Sequence, residues 1–299
     1  MKGRDILKAA SVGIRLARPL TLLAPLIVGI IGPVAFSRWL GGTADAFLIW
    51  QISSTLVGLN VASNYLNQAM EVEIDRLNKP HRPLPKGEAD PVLVAEISGL
   101  LYGLLFARAY IAFGRLSGTL ALVIGLLTIA YSLPGINLKA RLPYNILSQA
   151  LARGLLAPLF IWTSVGGGIT DGRIYAFSAV PLVFLLGASS IKDFSDVRGD
   201  LAHGVRTLPV VLGRKKAAGV VMFLIFLSHM IWITLTGLGQ LPEKALPVAI
   251  AMMAISSLML LDLPKVPRRS RRLRIENSFS WLIMYLWLIV YYLSIGLTY

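Results

Sequence analysis

The sequence contains no cysteine and few charged residues. Of its 299 residues none is Cys, and only 15% are charged, against about 25% in an ordinary soluble domain. The absence of cysteine excludes disulfides, thiolate metal sites and cysteine nucleophiles. The low charge, a hydrophobic content of 56% and a mean hydropathy of +0.69 argue against a soluble enzyme, a disordered chain and a fibrous protein.

Acidic residues are especially scarce. The chain has 15 Asp and Glu against 29 Lys and Arg, which gives a net charge of +14. In a soluble protein that excess would suggest nucleic-acid binding, but no aromatic stacking platform accompanies the basic residues, so we expect no nucleic-acid partner. In a chain this apolar, the excess predicts a membrane protein whose basic loops lie on one side.

Long apolar segments predict an all-α, polytopic membrane protein. A membrane-spanning helix needs about 20 mostly apolar residues. Nine segments meet this requirement: 19–37, 46–70, 92–113, 116–135, 146–165, 174–191, 217–237, 245–261 and 277–298. No segment between them is long enough for a separate soluble domain, so we expect one transmembrane domain over residues 1–299.

The basic residues alternate with these nine segments. On this layout 23 of the 29 Lys and Arg residues lie on one side of the membrane and 4 on the other. The positive-inside rule then places the N-terminus in the cytoplasm and the C-terminus outside, in the cell membrane. The last two basic residues, Arg108 and Arg153, lie within spans. For Arg153 a cavity-facing role and an ion pair between helices are both open.

A polar stripe runs along the end of the second span. Asn67, Glu71 and Asp75 are four residues apart and share one helical face, which Asn60 and Asn64 extend into the apolar span. Such a stripe is costly in lipid unless it faces the bundle interior or a cavity. The alternative is that the asparagines bond neighbouring helices and the acids are solvated at the helix end.

A second acidic cluster follows the sixth span, on the same side of the membrane. It comprises Asp193, Asp196 and Asp200. Two carboxylate sets at one depth predict a divalent cation such as Mg²⁺, which takes oxygen ligands and is often completed by substrate phosphates. Neighbouring basic residues would hold outer phosphate oxygens or contact lipid headgroups: Lys79, Arg82, Lys192, Arg198 and Arg206. The constellation predicts a polyprenyl diphosphate at the rim of a membrane cavity.

These motifs resemble those of the UbiA family of intramembrane prenyltransferases. That family has Asn-x-x-x-Asp-x-x-x-Asp after its second helix and Asp-x-x-x-Asp after its sixth. The matching residues here are Asn67, Glu71 and Asp75, then Asp196 and Asp200. Further matches are Arg18-Pro19, Tyr131-Ser132-x-Pro134 followed by Lys139, and Arg206-Thr207-Leu208-Pro209. Two positions depart from the pattern, because Glu71 replaces Asp and Gln68 stands where a second Asp is common.

The resemblance implies nine helices around a central cavity and a Mg²⁺-assisted transfer of a polyprenyl group. It implies metal ligation by Asn67, Glu71, Asp75, Asp196 and Asp200, of which Asp75, Asp196 and Asp200 are also catalytic. It implies diphosphate binding by Arg18, Lys79, Arg82, Lys139, Lys192 and Arg206. Tyr131 would face the allylic cation, or anchor the helix at the interface. Asp193 has three open roles: metal ligand, acceptor-site base, or partner of Lys192.

The acceptor is left open. The segments around Asp75 and Asp200 look most like the branch that holds archaeal digeranylgeranylglyceryl phosphate synthases and chlorophyll synthases. Tyr131-Ser132-x-Pro134 also occurs in enzymes that prenylate quinone precursors. We therefore expect a donor such as geranylgeranyl diphosphate and, as acceptor, a glyceryl phosphate ether or an aromatic quinone precursor, in lipid or quinone biosynthesis. The alternatives are a terpene cyclase on the same scaffold and a membrane transporter whose acids bind an ion.

Overall fold

The chain is all-helical, as the sequence predicts. The computed structural model describes the backbone of residues 3–261, 263 and 271–296, and the side chains of 6–261, 263 and 284–296. The helices are α1 (Gly3–Ala17), α2 (Pro19–Trp39), α3 (Ala46–Met70), α4 (Val72–Asn78), α5 (Pro91–Ser132), α6 (Tyr144–Ala150), α7 (Ala157–Ser164), α8 (Gly172–Ala188), α9 (Asp193–Ala202), α10 (Leu208–Gly237), α11 (Leu246–Leu260) and α12 (Arg271–Gly296). A π-helical turn, Leu151–Leu156, joins α6 to α7 without a loop.

Helix α5 folds back on itself at Gly114. This glycine has φ 75° and ψ −174°, a conformation that ends one helical arm and starts the next. The Tyr102 and Thr128 hydroxyls lie 2.8 Å apart, and those of Tyr110 and Thr119 lie 3.0 Å apart. In a straight helix the first pair would be about 39 Å apart at 1.5 Å per residue. The two arms therefore pack against each other, where the sequence predicts a third and a fourth span.

Six helices of the described residues are long and apolar enough to cross a membrane, and a seventh is added if the bent pair α8–α9 forms one span. This count treats the 42-residue α5 as one helix. It includes no span from α12, whose apolar stretch among the described residues, Met284–Gly296, is shorter. The chain is thus a multi-pass membrane protein. The figure of nine spans stays a prediction, and part of the basic loop before the last span lies outside the described residues.

Aromatic side chains fill the end of the bundle where α2 and α7 finish. Phe36 packs edge-on against Trp162 and Phe177, with ring centroids 5.5 and 4.9 Å apart. On the same side Tyr291 donates a hydrogen bond to the Phe177 carbonyl at 2.7 Å. Large rings with satisfied polar atoms pack densely. This end of the bundle is therefore closed, and the open space lies toward the opposite end, where α3 finishes.

Helix α1 lies against the end of α3. The Gln68 side-chain amide donates to the Leu16 carbonyl at 2.7 Å, and the Tyr65 hydroxyl donates to the Gly13 carbonyl at 2.9 Å. Gln68 is thus directed toward α1. Asn64 of the polar stripe lies one turn earlier and also bonds α1, so the departure from the family pattern at position 68 places an amide at this contact with α1.

Candidate active site

The polar stripe of α3 faces an internal cavity, as predicted. The side chains of Asn60, Asn64 and Asn67 line this space. Asn64 also donates to the Ala17 carbonyl at 2.8 Å and the Thr21 hydroxyl at 2.9 Å, so part of the stripe joins helices as the alternative interpretation proposes. The stripe serves both purposes: it bonds the start of α2 and presents amides to the cavity.

The stripe continues through the junction of α3 and α4. Glu71 ends α3 and precedes α4, and its φ of −112° and ψ of 20° bend the chain there. The helical hydrogen-bond pattern nevertheless persists, because Asp75 N donates to Glu71 O at 2.8 Å. The Asn67 amide donates to the Glu71 carboxylate at 2.5 Å. Asn67, Glu71 and Asp75 therefore stay on one face across the bend, and both acids are buried.

The second acidic cluster lies on α9, which is bent by 53° from α8. Asp193, Asp196 and Asp200 are all buried although α9 follows the end of the spanning helix. The bend directs α9 across the end of the bundle, so that it packs against α4. The two acidic segments thus meet at the same end of the molecule, although Asp75 and Asp193 are 118 residues apart in the sequence.

Asn78 joins these segments, a role that its place in the sequence did not predict. Its side-chain oxygen accepts from Gly199 N at 2.9 Å, and its side-chain nitrogen donates to the Asp196 carbonyl at 3.1 Å. A Cβ at position 199 would lie 2.5 Å from Asn78 Cγ, so any larger residue there would displace the Asn78 side chain. The available signal was a glycine between two aspartates of one short helix, since glycine disfavours a helix interior unless another group must approach closely.

Three carboxylates of the site are paired with basic side chains. Lys139 lies 2.6 Å from Glu71, Lys79 lies 2.5 Å from Asp196, and Arg82 pairs with Asp75. Two of the pairs join distant segments, because Lys139 belongs to the loop after α5 and Asp196 to α9. The structure therefore brings Lys79, Arg82 and Lys139 to the carboxylates, and their binding of a diphosphate stays a prediction.

Two carboxylate oxygens find no hydrogen-bond partner among the residues that the structure describes. Asp75 Oδ1 and Asp200 Oδ1 are both buried and unsatisfied, and the second oxygen of Asp200 accepts only a 3.4 Å bond from Thr207. Buried carboxylate oxygens without donors are costly, and a cation satisfies them. Within the part of the chain that the structure describes, no three His, Cys, Asp or Glu side chains converge on one point. The donor atoms are nevertheless all oxygens, and two are open, which fits a hard divalent cation.

Burial and neighbouring charges shift the pKa values of four acids of the site in opposite directions. Burial raises the pKa of Asp193 to about 7 and that of Asp200 to about 6. Burial also disfavours charge on Glu71 and Asp196, but the ammonium groups of Lys139 and Lys79 outweigh it and hold the pKa of both carboxyls below the usual range. Glu71 and Asp196 are therefore ionised at neutral pH.

Lys192 bonds Tyr131 and makes no ion pair with Asp193. The Lys192 ammonium donates to the Tyr131 hydroxyl at 2.7 Å and lies 5.0 Å from the ring centroid. Both side chains line the cavity. Of the three roles left open for Asp193, the partner of Lys192 thus receives no support from an ion pair, although the Lys192 charge acts on Asp193.

The two remaining predicted diphosphate ligands differ. Arg18 lines the cavity, and its φ of 56° is in the left-handed region that non-glycine residues seldom adopt, at the corner between α1 and α2. Arg206 is exposed, and its backbone nitrogen donates to the Ala140 carbonyl at 3.0 Å. Among the described side chains no ion pair includes Arg206, so the structure does not bring its guanidinium to the acids.

The lining of the cavity is mainly apolar. Its apolar wall is formed by Ala24, Pro25, Val28, Leu56, Leu59, Ile124, Leu185 and Leu288. Its polar lining includes Gln149, Arg153 and Tyr285, to which the sequence analysis assigned no binding role. Gln149 and Arg153 lie four residues apart on one continuous helical stretch, and Tyr285 lies on α12; of the two roles left open for Arg153, the structure thus supports the cavity-facing one. The site is thus an apolar chamber with amide, guanidinium and phenol groups near an acidic rim.

Comparison with known proteins agrees with this architecture. Residues 22–289 match the model of the UbiA prenyltransferase family. The chain is 30% identical to the digeranylgeranylglyceryl phosphate synthase of Pyrococcus abyssi over 69% of this chain and 70% of that protein. It is also 30% identical to the homogentisate phytyltransferase of Synechocystis over 78% of this chain and 77% of that protein.

A solved structure shares the fold. The UbiA homolog from Archaeoglobus fulgidus bound to GPP and Mg²⁺ aligns with a TM-score of 0.70 at 18% identity, over 95% of this chain and 99% of that one. The family match covers most of the sequence, and it agrees with the helical bundle, its cavity and its acidic rim. The chain therefore belongs to the UbiA prenyltransferase family and is a multi-pass membrane prenyltransferase.

Proposed function

We propose that this chain moves a polyprenyl group from an allylic polyprenyl diphosphate, such as geranylgeranyl diphosphate, to a small acceptor, with Mg²⁺ as cofactor. One observation carries the proposal. The two acidic segments meet beside an apolar cavity, with Asp75 Oδ1 and Asp200 Oδ1 buried and unpartnered. The apolar chamber suits a prenyl tail, and the charged rim suits its diphosphate head.

The acidic side chains would hold the metal. Asn67, Glu71, Asp75, Asp196 and Asp200 supply only oxygen donors, and two open oxygens are already buried there. When bound, Mg²⁺ neutralises the negative charge that develops on the departing diphosphate.

The basic residues of the rim would bind the phosphate oxygens. Lys79, Arg82 and Lys139 each touch a proposed metal ligand, so they already stand beside the position of the diphosphate. Arg18 and Lys192 approach it from the cavity side. We keep Arg206 in this set as the most peripheral member, since its exposed side chain must move to reach the phosphate.

The reaction breaks the allylic C–O bond, and pyrophosphate leaves with the electron pair. The remaining allylic cation lies in the chamber, where the Tyr131 ring stabilises it through its electron-rich face. An acceptor oxygen or ring carbon supplies the electrons of the new bond and loses a proton to water or to a carboxylate at the rim. The apolar walls keep water from capturing the cation first.

Two acceptor classes remain, a glyceryl phosphate ether and an aromatic quinone precursor. The similarity to both a digeranylgeranylglyceryl phosphate synthase and a homogentisate phytyltransferase supports keeping both. We further propose that the acidic rim faces the cytoplasm, with the C-terminus outside, and that residues 1–299 act as one domain.

Product analysis with purified protein tests the function. We expect geranylgeranyl diphosphate and a matching acceptor, tested among glyceryl phosphate ethers, 4-hydroxybenzoate, naphthoates and chlorophyllide, to give a prenylated product and pyrophosphate. Chelation with EDTA should abolish both, and Mg²⁺ should restore them. Absence of pyrophosphate release with every acceptor in the presence of Mg²⁺ would contradict the proposal. Product from the diphosphate alone would instead indicate a cyclase, and ion uptake by proteoliposomes without turnover would indicate a transporter.

A further inference from the structure

Arg153 lies in the wall of the cavity, away from the paired bases of the rim. It is on the π-helical turn Leu151–Leu156 and contributes to the cavity lining. It comes nine residues after the start of α6, which corresponds to about 13 Å along a helix. The charges that act most strongly on Glu71 and Asp196 are instead those of Lys79 and Lys139. Among the described residues, Arg153 thus pairs with none of the rim carboxylates that Lys79, Arg82 and Lys139 hold.

The local backbone directs Arg153 toward the cavity. A π-helical turn rotates the following side chains relative to an uninterrupted α-helix, and such turns are frequent at functional sites. The next residue, Gly154, packs so closely on α8 that a Cβ there would lie 2.5 Å from Leu182 Cα. With that face pressed against α8, the neighbouring Arg153 is exposed to the cavity.

The guanidinium has no acidic partner in the described part of the chain. Lys79, Arg82 and Lys139 are paired with carboxylates, and none of the ion pairs found there includes Arg153. Its charge acts on the Tyr285 hydroxyl, together with the charges of Arg18 and Lys192. An arginine at membrane depth is costly unless it is paired or serves a ligand. Arg153, Arg18 and Lys192 therefore form a region of positive charge that a bound anion would neutralise.

We propose that Arg153 binds the anionic group of the acceptor and so selects phosphate- or carboxylate-bearing acceptors over neutral ones. The planar guanidinium matches both anions with two parallel hydrogen bonds. Gln149, one turn earlier on the same wall, and Tyr285 supply further hydrogen-bonding groups. The inference rests on the proposed transfer reaction, because the acceptor must share the chamber with the prenyl chain.

Binding without turnover gives the first test. Glyceryl phosphate and 4-hydroxybenzoate are titrated calorimetrically into the detergent-solubilised protein without prenyl diphosphate. The variants are Arg153→Gln, Arg153→Lys and, as control, Arg108→Gln. Arg108 also lies within a span but bonds the Thr55 and Ser54 hydroxyls, and it is absent from the cavity lining. We expect Arg153→Gln to weaken binding of at least one anion by about tenfold or more, Arg153→Lys to weaken it less, and Arg108→Gln to leave it unchanged.

Steady-state kinetics give the second test. Each anionic acceptor is compared with a neutral counterpart, such as methyl 4-hydroxybenzoate or the dephosphorylated ether. Arg153→Gln should raise KM for the anionic acceptor by about tenfold or more, with KM for geranylgeranyl diphosphate changed by less than about twofold. The acceptor that responds, phosphate or carboxylate, identifies the class.

The outcomes separate the two proposals. The role of Arg153 is overturned if Arg153→Gln binds both anions as tightly as the unsubstituted protein. It is also overturned if KM rises equally for neutral and anionic acceptors. If Arg153→Gln loses anion binding while the unsubstituted protein transfers a prenyl group to no acceptor, the proposed function is overturned. The anion site at Arg153 is then still supported.

Discussion

Asn78 and Gly199 form a two-way connection between the acidic helices α4 and α9. The Asn78 side chain accepts from the Gly199 amide at 2.9 Å and donates to the Asp196 carbonyl at 3.1 Å. Both partners are backbone groups of the helix that carries Asp196 and Asp200. Because a side chain at position 199 would collide with Asn78, we expect this pair to set how closely the two carboxylate sets approach.

The first prediction concerns this connection. Asn78→Ala removes both hydrogen bonds, and Gly199→Ala pushes the Asn78 side chain away, so each should lower turnover by about tenfold or more. The double variant should be little worse than either single variant, because both changes break one contact. The measurement is kcat for pyrophosphate release in a double-mutant cycle.

Gly219→Ala on α10 is the matched control, since a Cβ at Gly219 meets no atom within 4 Å. It should retain activity and stability. Fully additive losses in the cycle, or normal turnover of Gly199→Ala, would show that the contact does not set the distance between the helices.

The second prediction concerns the two carboxylates with open oxygens. Asp75→Asn and Asp200→Asn should each lower kcat by about 100-fold or more, because each removes a negative charge from the proposed metal site. If these substitutions lower the affinity for Mg²⁺, a higher Mg²⁺ concentration should partly restore turnover. Glu73→Gln serves as control, since Glu73 is exposed and pairs with Arg76 at 2.8 Å. Near-normal turnover of both Asn variants would exclude these acids from the chemistry.

The third prediction concerns the buried pair of Glu71 and Lys139. Each side chain is about one-tenth exposed and their charged atoms lie 2.6 Å apart. Removing one partner leaves an uncompensated buried charge, so Lys139→Met should destabilise the protein by about 3 kcal/mol. The double variant Glu71→Gln, Lys139→Met should recover part of that loss. Thermal unfolding in detergent measures this, and a double variant less stable than Lys139→Met would refute the pairing.

The fourth prediction concerns orientation and uses the lack of cysteine. A single cysteine at Lys86, in the loop after α4, should react with a membrane-impermeant maleimide only from the cytoplasmic side. One at Thr170, in the loop before α8, should react only from the outside. Both positions are exposed, and the chain offers no background thiol. Labelling of intact and inverted vesicles distinguishes the sides, and the reverse pattern would place the acidic rim outside.

Much of the site could be predicted from spacing along the chain. Residues four apart share a helical face, so the grouping of Asn67, Glu71 and Asp75 followed from the sequence and persists through the bend at Glu71. The cost of polar groups in lipid predicted that their stripe faces inward. Apolar length predicted the helical membrane fold, and two spans where α5 folds back at Gly114.

Contacts between helices were decided only by the tertiary structure. Spacing cannot specify how one helix is rotated against another, because that depends on packing between segments far apart in the sequence. Lys192 bonds Tyr131 and not its neighbour Asp193, and Gln68 bonds α1. The same limit applied to Asn78, whose partner Gly199 is 121 residues away. The sequence by itself determined which residue types and faces are available for the chemistry, whereas packing determined which of them meet, since a hydrogen bond requires a position accurate to a few tenths of an ångström.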